Sequence, residues 1–136
     1  MFDIKRERAL TVTILTVSEK PKILVADDSG TIRALLKTAL EGAGYEVDMA
    51  DDGLSAYELG RNAEYDLIIM DQLMPGLLGL EVIERWRDEG MEAPVLMLTG
   101  VDDDRTAVES FDLGAVDYVR KPFRMTELMA RIRKRL

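Results

Sequence analysis

Several apolar runs in this chain end in residues that could do chemistry together. Ile23-Leu24-Val25-Ala26 ends in Asp27-Asp28, and Asp66-Leu67-Ile68-Ile69-Met70 ends in Asp71, followed by Gln72-Leu73-Met74-Pro75-Gly76. Val95-Leu96-Met97-Leu98 ends in Thr99-Gly100, and Val116-Asp117-Tyr118-Val119-Arg120 leads into Lys121-Pro122. Taken singly, each has an ordinary reading: loop polarity for the acids, a helix cap for Thr99, a surface lysine for Lys121. Taken together, they acquire a chemical meaning if the runs are parallel strands, because the carboxyl ends of such strands share one rim. Three carboxylates crowded on that rim repel one another unless a cation sits among them. A hard divalent ion with few protein ligands and a phosphate oxygen suits such a place, which is magnesium chemistry.

Composition narrows the alternatives. The 136 residues make one domain, with 47% apolar residues, enough for a single core. There is no cysteine and no histidine, so thiolate zinc sites, disulfides, imidazole-ligated metals and serine–histidine triads are excluded. Any metal must be held by oxygen. The net charge of −8 argues against a nucleic-acid-binding surface over the whole domain. The balance is uneven, because residues 120–136 carry Arg120, Lys121, Arg124, Arg131, Arg133, Lys134 and Arg135 against Glu127 alone. No apolar stretch approaches the ~20 residues needed to span a bilayer. The first residues imitate a signal peptide, but Asp3, Glu7 and the absence of a small-x-small cleavage site count against one, so a cytoplasmic location is expected.

The elements that would position the rim follow from periodicity. Residues 1–20 read as an N-terminal extension (an edge strand, a short helix or an arm), and 21–136 as the domain. After the first strand, Ile32, Leu35, Leu36, Ala39, Leu40 and Ala43 form one apolar helix stripe, started by Ser29 or Asp28 and stopped by Gly42 and Gly44. Tyr45 to Met49 alternates as a strand with one wet side, and a helix follows over about 53–62. Further helices are expected from Gly79 to about Asp88, over 102–113 with a thin apolar face of Ala107, Val108 and Phe111, and over the end of the chain with Met125, Leu128, Met129, Ile132 and Leu136 on one side. Strand and helix alternate five times, which predicts a doubly wound five-stranded parallel α/β sheet with helices on both faces. Strands one, three and four are apolar throughout and belong inside. Strands two and five carry polar residues and belong at the edges. The order 2-1-3-4-5 satisfies both conditions.

Residues 22–136 resemble a response-regulator receiver domain of bacterial two-component signalling. The resemblance rests on Asp27-Asp28, on Asp71 followed by Met74-Pro75 and Gly79, on Thr99-Gly100, on Gly114-Ala115 before Asp117-Tyr118, and on Lys121-Pro122-Phe123. It implies the flavodoxin-like fold, whose order 2-1-3-4-5 is the one known for flavodoxin and the chemotaxis receiver. It also implies that Asp71 is the phosphoacceptor, a carboxylate nucleophile taking a phosphoryl group from the phosphohistidine of a histidine kinase or phosphotransfer protein. Asp27, Asp28, Asp71 and the backbone carbonyl of Leu73 would hold Mg²⁺, and Lys121 would offset charge on the transferring group. The Lys121-Pro122 bond is usually cis in the family. Thr99 and Tyr118 would form the switch, Thr99 donating its hydroxyl to a phosphoryl oxygen and Tyr118 following it inward. The face made by helix four, strand five and helix five would then be remodelled for an output domain or protein.

Two departures carry expectations of their own. Leu73 and Val101 lie two residues beyond Asp71 and Thr99, where receivers control water access, and both are apolar, so slow self-hydrolysis of the acyl phosphate is expected. Helix four is acidic (Asp102, Asp103, Asp104, Glu109, Asp112) and helix five basic, which offers a self-complementary patch for a homodimer. Many DNA-binding response regulators pair this way with Ala-Asp-Asp-Tyr before strand five, where this chain has Ala115-Val116-Asp117-Tyr118. Two other functions compete. A non-phosphorylated scaffold is disfavoured because every acceptor-site residue is present. A magnesium-dependent phosphohydrolase or flavin carrier lacks support, since Leu73 stands where haloacid-type phosphatases place a second aspartate and no Ser/Thr-rich loop follows strand one.

Overall fold

The computed structural model describes residues 20–136, so the expected extension over 1–20 lies, but for Lys20, outside the described residues. Strands and helices alternate as β1 (Lys22–Ala26), α1 (Gly30–Gly42), β2 (Glu46–Ala50), α2 (Gly53–Asn62), β3 (Leu67–Met70), α3 (Gly79–Asp88), β4 (Val95–Thr99), α4 (Asp104–Asp112), β5 (Asp117–Arg120) and α5 (Met125–Arg135). All five strands are parallel, in the order β2-β1-β3-β4-β5, as the polarity of the runs predicts. Every residue of β3 and β4 is buried, whereas β2 exposes Glu46 and Met49 and β5 buries none of its four residues.

Because successive strand residues point to opposite faces, the core divides in two. Leu24, Ile68, Met70, Val95 and Met97 pack against Ala56, Tyr57, Val82, Ile83 and Trp86 of α2 and α3. Ile23, Val25, Leu67, Ile69, Leu96 and Leu98 pack on the other face against Leu36 and Leu40 of α1 and Leu128 and Ile132 of α5. The α2–α3 contact depends on Gly60, where a Cβ would fall 2.2 Å from the Trp86 ring. Close packing of helices needs a small residue opposite a large one, and here the large one also donates its indole N–H to the Tyr57 carbonyl at 3.1 Å.

Local signals set the helix ends. Ser29 caps α1 by accepting the Ile32 N–H at 3.2 Å, and Gly44 takes the positive φ of +94° that lets the chain turn into β2. Helix α4 departs from expectation in two ways. It starts at Asp104 rather than 102, because Asp103 acts as its cap and accepts the Arg105 N–H at 2.9 Å. Two of the three residues of its expected apolar face also point outward, Val108 57% and Phe111 50% exposed, with Ala107 only partly covered, while Ser110 is buried and donates to the Ala107 carbonyl at 2.7 Å. A nine-residue helix beside an edge strand has little sheet to cover, so its apolar strip is left on the surface. Among the described residues no helix is long and apolar enough to cross a membrane.

Candidate functional site

The fold brings the predicted rim residues together. Asp27 follows β1 and Asp71 follows β3, its neighbour in the sheet, so the two carboxylates rise side by side. One oxygen each of Asp27, Asp28 and Asp71 lies within 4.8 Å of the others, with Asp27 and Asp71 buried and Asp28 exposed. Lys121, after β5 on the far edge, reaches across and donates from Nζ to Asp27 Oδ2 at 2.6 Å and to Asp71 Oδ2 at 2.9 Å. Its backbone is anchored by the Lys121 N–H, which donates to the Thr99 carbonyl at 2.9 Å, and the Lys121–Pro122 bond is cis.

The second oxygens of the buried pair are committed elsewhere. Asp27 Oδ1 accepts the Ser29 N–H at 2.9 Å, and Asp71 Oδ1 accepts the Gln72 N–H at 2.7 Å. Arg33 donates to the Asp27 carbonyl at 2.7 Å and braces that turn from α1. Burial alone would lower the pKa of the Lys121 ammonium, but the hydrogen bonds to Asp27 and Asp71 outweigh it and hold it above the ordinary lysine value. The lysine is therefore charged at neutral pH and faces two carboxylates.

Thr99 ends β4 fully buried, and its hydroxyl accepts the Val101 N–H at 3.3 Å rather than bonding Asp71. Tyr118 lies on β5, half-buried against the α2–α3 side of the core, and donates its hydroxyl to the Val101 carbonyl at 2.9 Å. Both switch candidates thus meet at Val101, in the loop between β4 and α4. Burial raises the Tyr118 phenol above its ordinary pKa, with Arg120 opposing and Asp103, Asp102 and Asp71 adding to the rise. Leu73 stands on the loop after β3 with 59% of its surface exposed. An all-oxygen donor set, two members buried and one open to solvent, fits a hard divalent cation and suits neither zinc nor copper.

Sequence reasoning missed Gln72. It is buried beside Asp71, with its Oε1 accepting the Leu80 N–H of α3 at 2.8 Å. A signal was present. Leu78, just before α3, has no side chain that can cap a helix, so the acceptor had to come from elsewhere.

Comparison with known proteins points to one family. The profile of the response regulator receiver domain family matches residues 23–133. The chain is 42% identical over 112 residues to the probable transcriptional regulatory protein SilR of Salmonella typhimurium, covering 82% of this chain and 49% of that protein. It is 40% identical over 114 residues to the transcriptional regulatory protein DltR of Streptococcus agalactiae, covering 84% and 51%. The chain therefore spans about half the length of the curated relatives it matches. Among solved structures, the receiver domain of the Francisella response regulator 1452 superposes with a TM-score of 0.80 at 34% identity, covering 85% of this chain and 96% of that one. The response regulator TrrA of Thermotoga maritima, solved in complex with Mg²⁺ and BeF, gives 0.76 at 39% identity, covering 85% and 99%. The family profile spans most of the chain, relatives at 40% identity or more cover over four-fifths of it, and receiver domains superpose on its β2-β1-β3-β4-β5 sheet, so this chain belongs to the response regulator receiver domains of two-component systems.

Proposed function

We propose that this chain accepts a phosphoryl group on Asp71 from a histidine kinase or phosphotransfer protein and relays the signal by changing its α4–β5–α5 face. A carboxylate oxygen of Asp71 attacks phosphorus in line, the P–N bond to the donor imidazole breaks, and the imidazole leaves. The observation that supports this reading best is the ammonium of Lys121, bonded at once to Asp27 and Asp71. That ammonium would pair with a phosphoryl oxygen once Asp71 is modified, which would link the modification to strand β5.

Asp27, Asp28, Asp71 and the carbonyl of Leu73 would hold Mg²⁺. When bound, the ion supplies positive charge against the oxygens of the transferring group. Asp27 and Asp28 then serve to bind it, and Asp71 both binds and reacts. Thr99 would turn its hydroxyl from Val101 to a phosphoryl oxygen, drawing in the β4–α4 loop. Tyr118, bonded to that loop at Val101, would move with it. The output is a domain or protein that reads the α4–β5–α5 face, a second copy of this chain among the candidates, with no direct binding of nucleic acid by this domain and a cytoplasmic site of action.

The test is labelling by acetyl phosphate, a donor that needs no docking partner. Mass spectrometry should find one phosphoryl group on the wild type with Mg²⁺ present, none after chelation, and none on Asp71→Asn. An unmodified wild type, or an equally labelled Asp71→Asn, would overturn the reading.

A further inference from the structure

The chemistry proposed for Asp71 leaves the next residue without a role, yet Gln72 is only 8% exposed and tightly held. Its side-chain Oε1 accepts the Leu80 N–H at 2.8 Å, and its main-chain carbonyl accepts the Gly79 N–H at 2.8 Å. These are the first two amides of α3, groups that every helix leaves without an internal partner. The residue in the cap position, Leu78, has no side-chain acceptor, and leucine is among the poorest cap residues. Glu81 only accepts the Leu78 N–H, at 3.0 Å. The cap of α3 is therefore supplied from the end of β3, by the residue that follows the acidic acceptor.

The same residue holds Asp71. The Gln72 N–H donates to Asp71 Oδ1 at 2.7 Å, while Asp71 Oδ2 accepts from Lys121 at 2.9 Å. Packing leaves that peptide little room to turn, since a Cβ on Gly79 would fall 2.2 Å from the Asp71 carbonyl oxygen. We infer that Gln72 is a positioning residue for Asp71: helix α3 grips its side chain and carbonyl, and this grip fixes the N–H that sets the rotamer of the acceptor carboxylate. The two Asp71 oxygens are thereby divided between two partners before any donor arrives. Orientation of this kind acts on the rate of the chemical step more than on the binding of a small donor.

The inference rests on the phosphoacceptor reading, and the experiment separates the two. Gln72→Met keeps the length of the side chain and removes its acceptor. Adding Leu78→Asp returns a cap to α3 from its usual position. Three measurements are made on each protein: the urea midpoint, the maximal rate and half-saturation of labelling by acetyl phosphate with Mg²⁺, and the NMR shift of the residue 72 amide proton. Gln72→Met should lower the maximal rate on the order of ten-fold with half-saturation unchanged, move the amide resonance upfield, and lower the urea midpoint. The double variant should recover the urea midpoint but neither the rate nor the amide shift. Recovery of all three would make Gln72 a cap and nothing more, and an unchanged rate in Gln72→Met would equally overturn the inference. A wild type that takes no label while its residue 72 amide responds as described would sink the phosphoacceptor reading and leave the positioning of Asp71 standing.

Discussion

Lys121 is the residue on which the unmodified site depends. With its ammonium in place, two buried carboxylates share one positive charge; without it, three acids face one another. Removing one partner from a buried pair is far costlier than losing an exposed one, so Lys121→Met should lower stability by about 3 kcal/mol. Millimolar Mg²⁺ should return part of that loss, and calorimetry with and without the ion checks both. The pH dependence has a definite sign. The pKa of Lys121 is raised in the folded state, so its contribution is present below the unfolded value of 10.5 and is lost as the pH climbs through the higher folded value. The stability gap between wild type and Lys121→Met should therefore hold steady from neutrality to the alkaline range and close only beyond it. Leu73 and Val101 carry a second prediction at this scale. With apolar side chains at both positions, the acyl phosphate should persist for minutes to hours, on the order of 10² to 10⁴ s, by exclusion of the attacking water. A lifetime of seconds in the purified protein, followed by loss of label in acid-quenched samples, would contradict it.

Strand polarity translated directly into position among the elements. Unbroken apolar runs became β1, β3 and β4, and the mixed runs became the edges, because only an inner strand has both faces covered. Helix α4 is where that logic stopped short. Ala107, Val108 and Phe111 have helical spacing, but spacing cannot say whether a partner surface lies opposite, and Ser110 took the inward place. The α2–α3 packing allows a sharper test. Gly60→Ala should push a methyl group into the Trp86 ring and cost about 2 kcal/mol. Adding Trp86→Phe should return part of that cost, so that the two changes together destabilise less than their sum in urea denaturation.

Charge is distributed unevenly over the molecule, and this bears on assembly. Arg120 pairs with Asp102 at 2.9 Å and Asp104 at 3.2 Å, and Arg131 with Asp117 at 3.0 Å, all within one chain. Exposed pairs such as those of Arg120 are weak, so exchanging them between two copies costs little. The outward Val108 and Phe111 would add an apolar centre to that patch. Dimerisation through α4, β5 and α5 should then appear in sedimentation experiments with Mg²⁺ and beryllofluoride, should weaken with salt, and should be absent without the phosphate mimic. A monomer in both states would remove the homodimer from the proposal.

From the residues alone came the alternation of strands and helices, the sorting of inner from edge strands and the company of Asp27, Asp28, Asp71, Thr99 and Lys121, because period and polarity are local properties and a parallel sheet gathers its strand ends on one rim; the order 2-1-3-4-5 met that sorting and was already the one known for folds of this kind. What the chain could not declare in one dimension is which atom meets which. The sharing of Lys121 between Asp27 and Asp71, the meeting of Thr99 and Tyr118 at Val101, and the capping of α3 by Gln72 all join atoms brought close by the crossing of strands and helices. Hydrogen bonds act over about 3 Å, and only the packed fold sets distances on that scale between residues far apart along the chain.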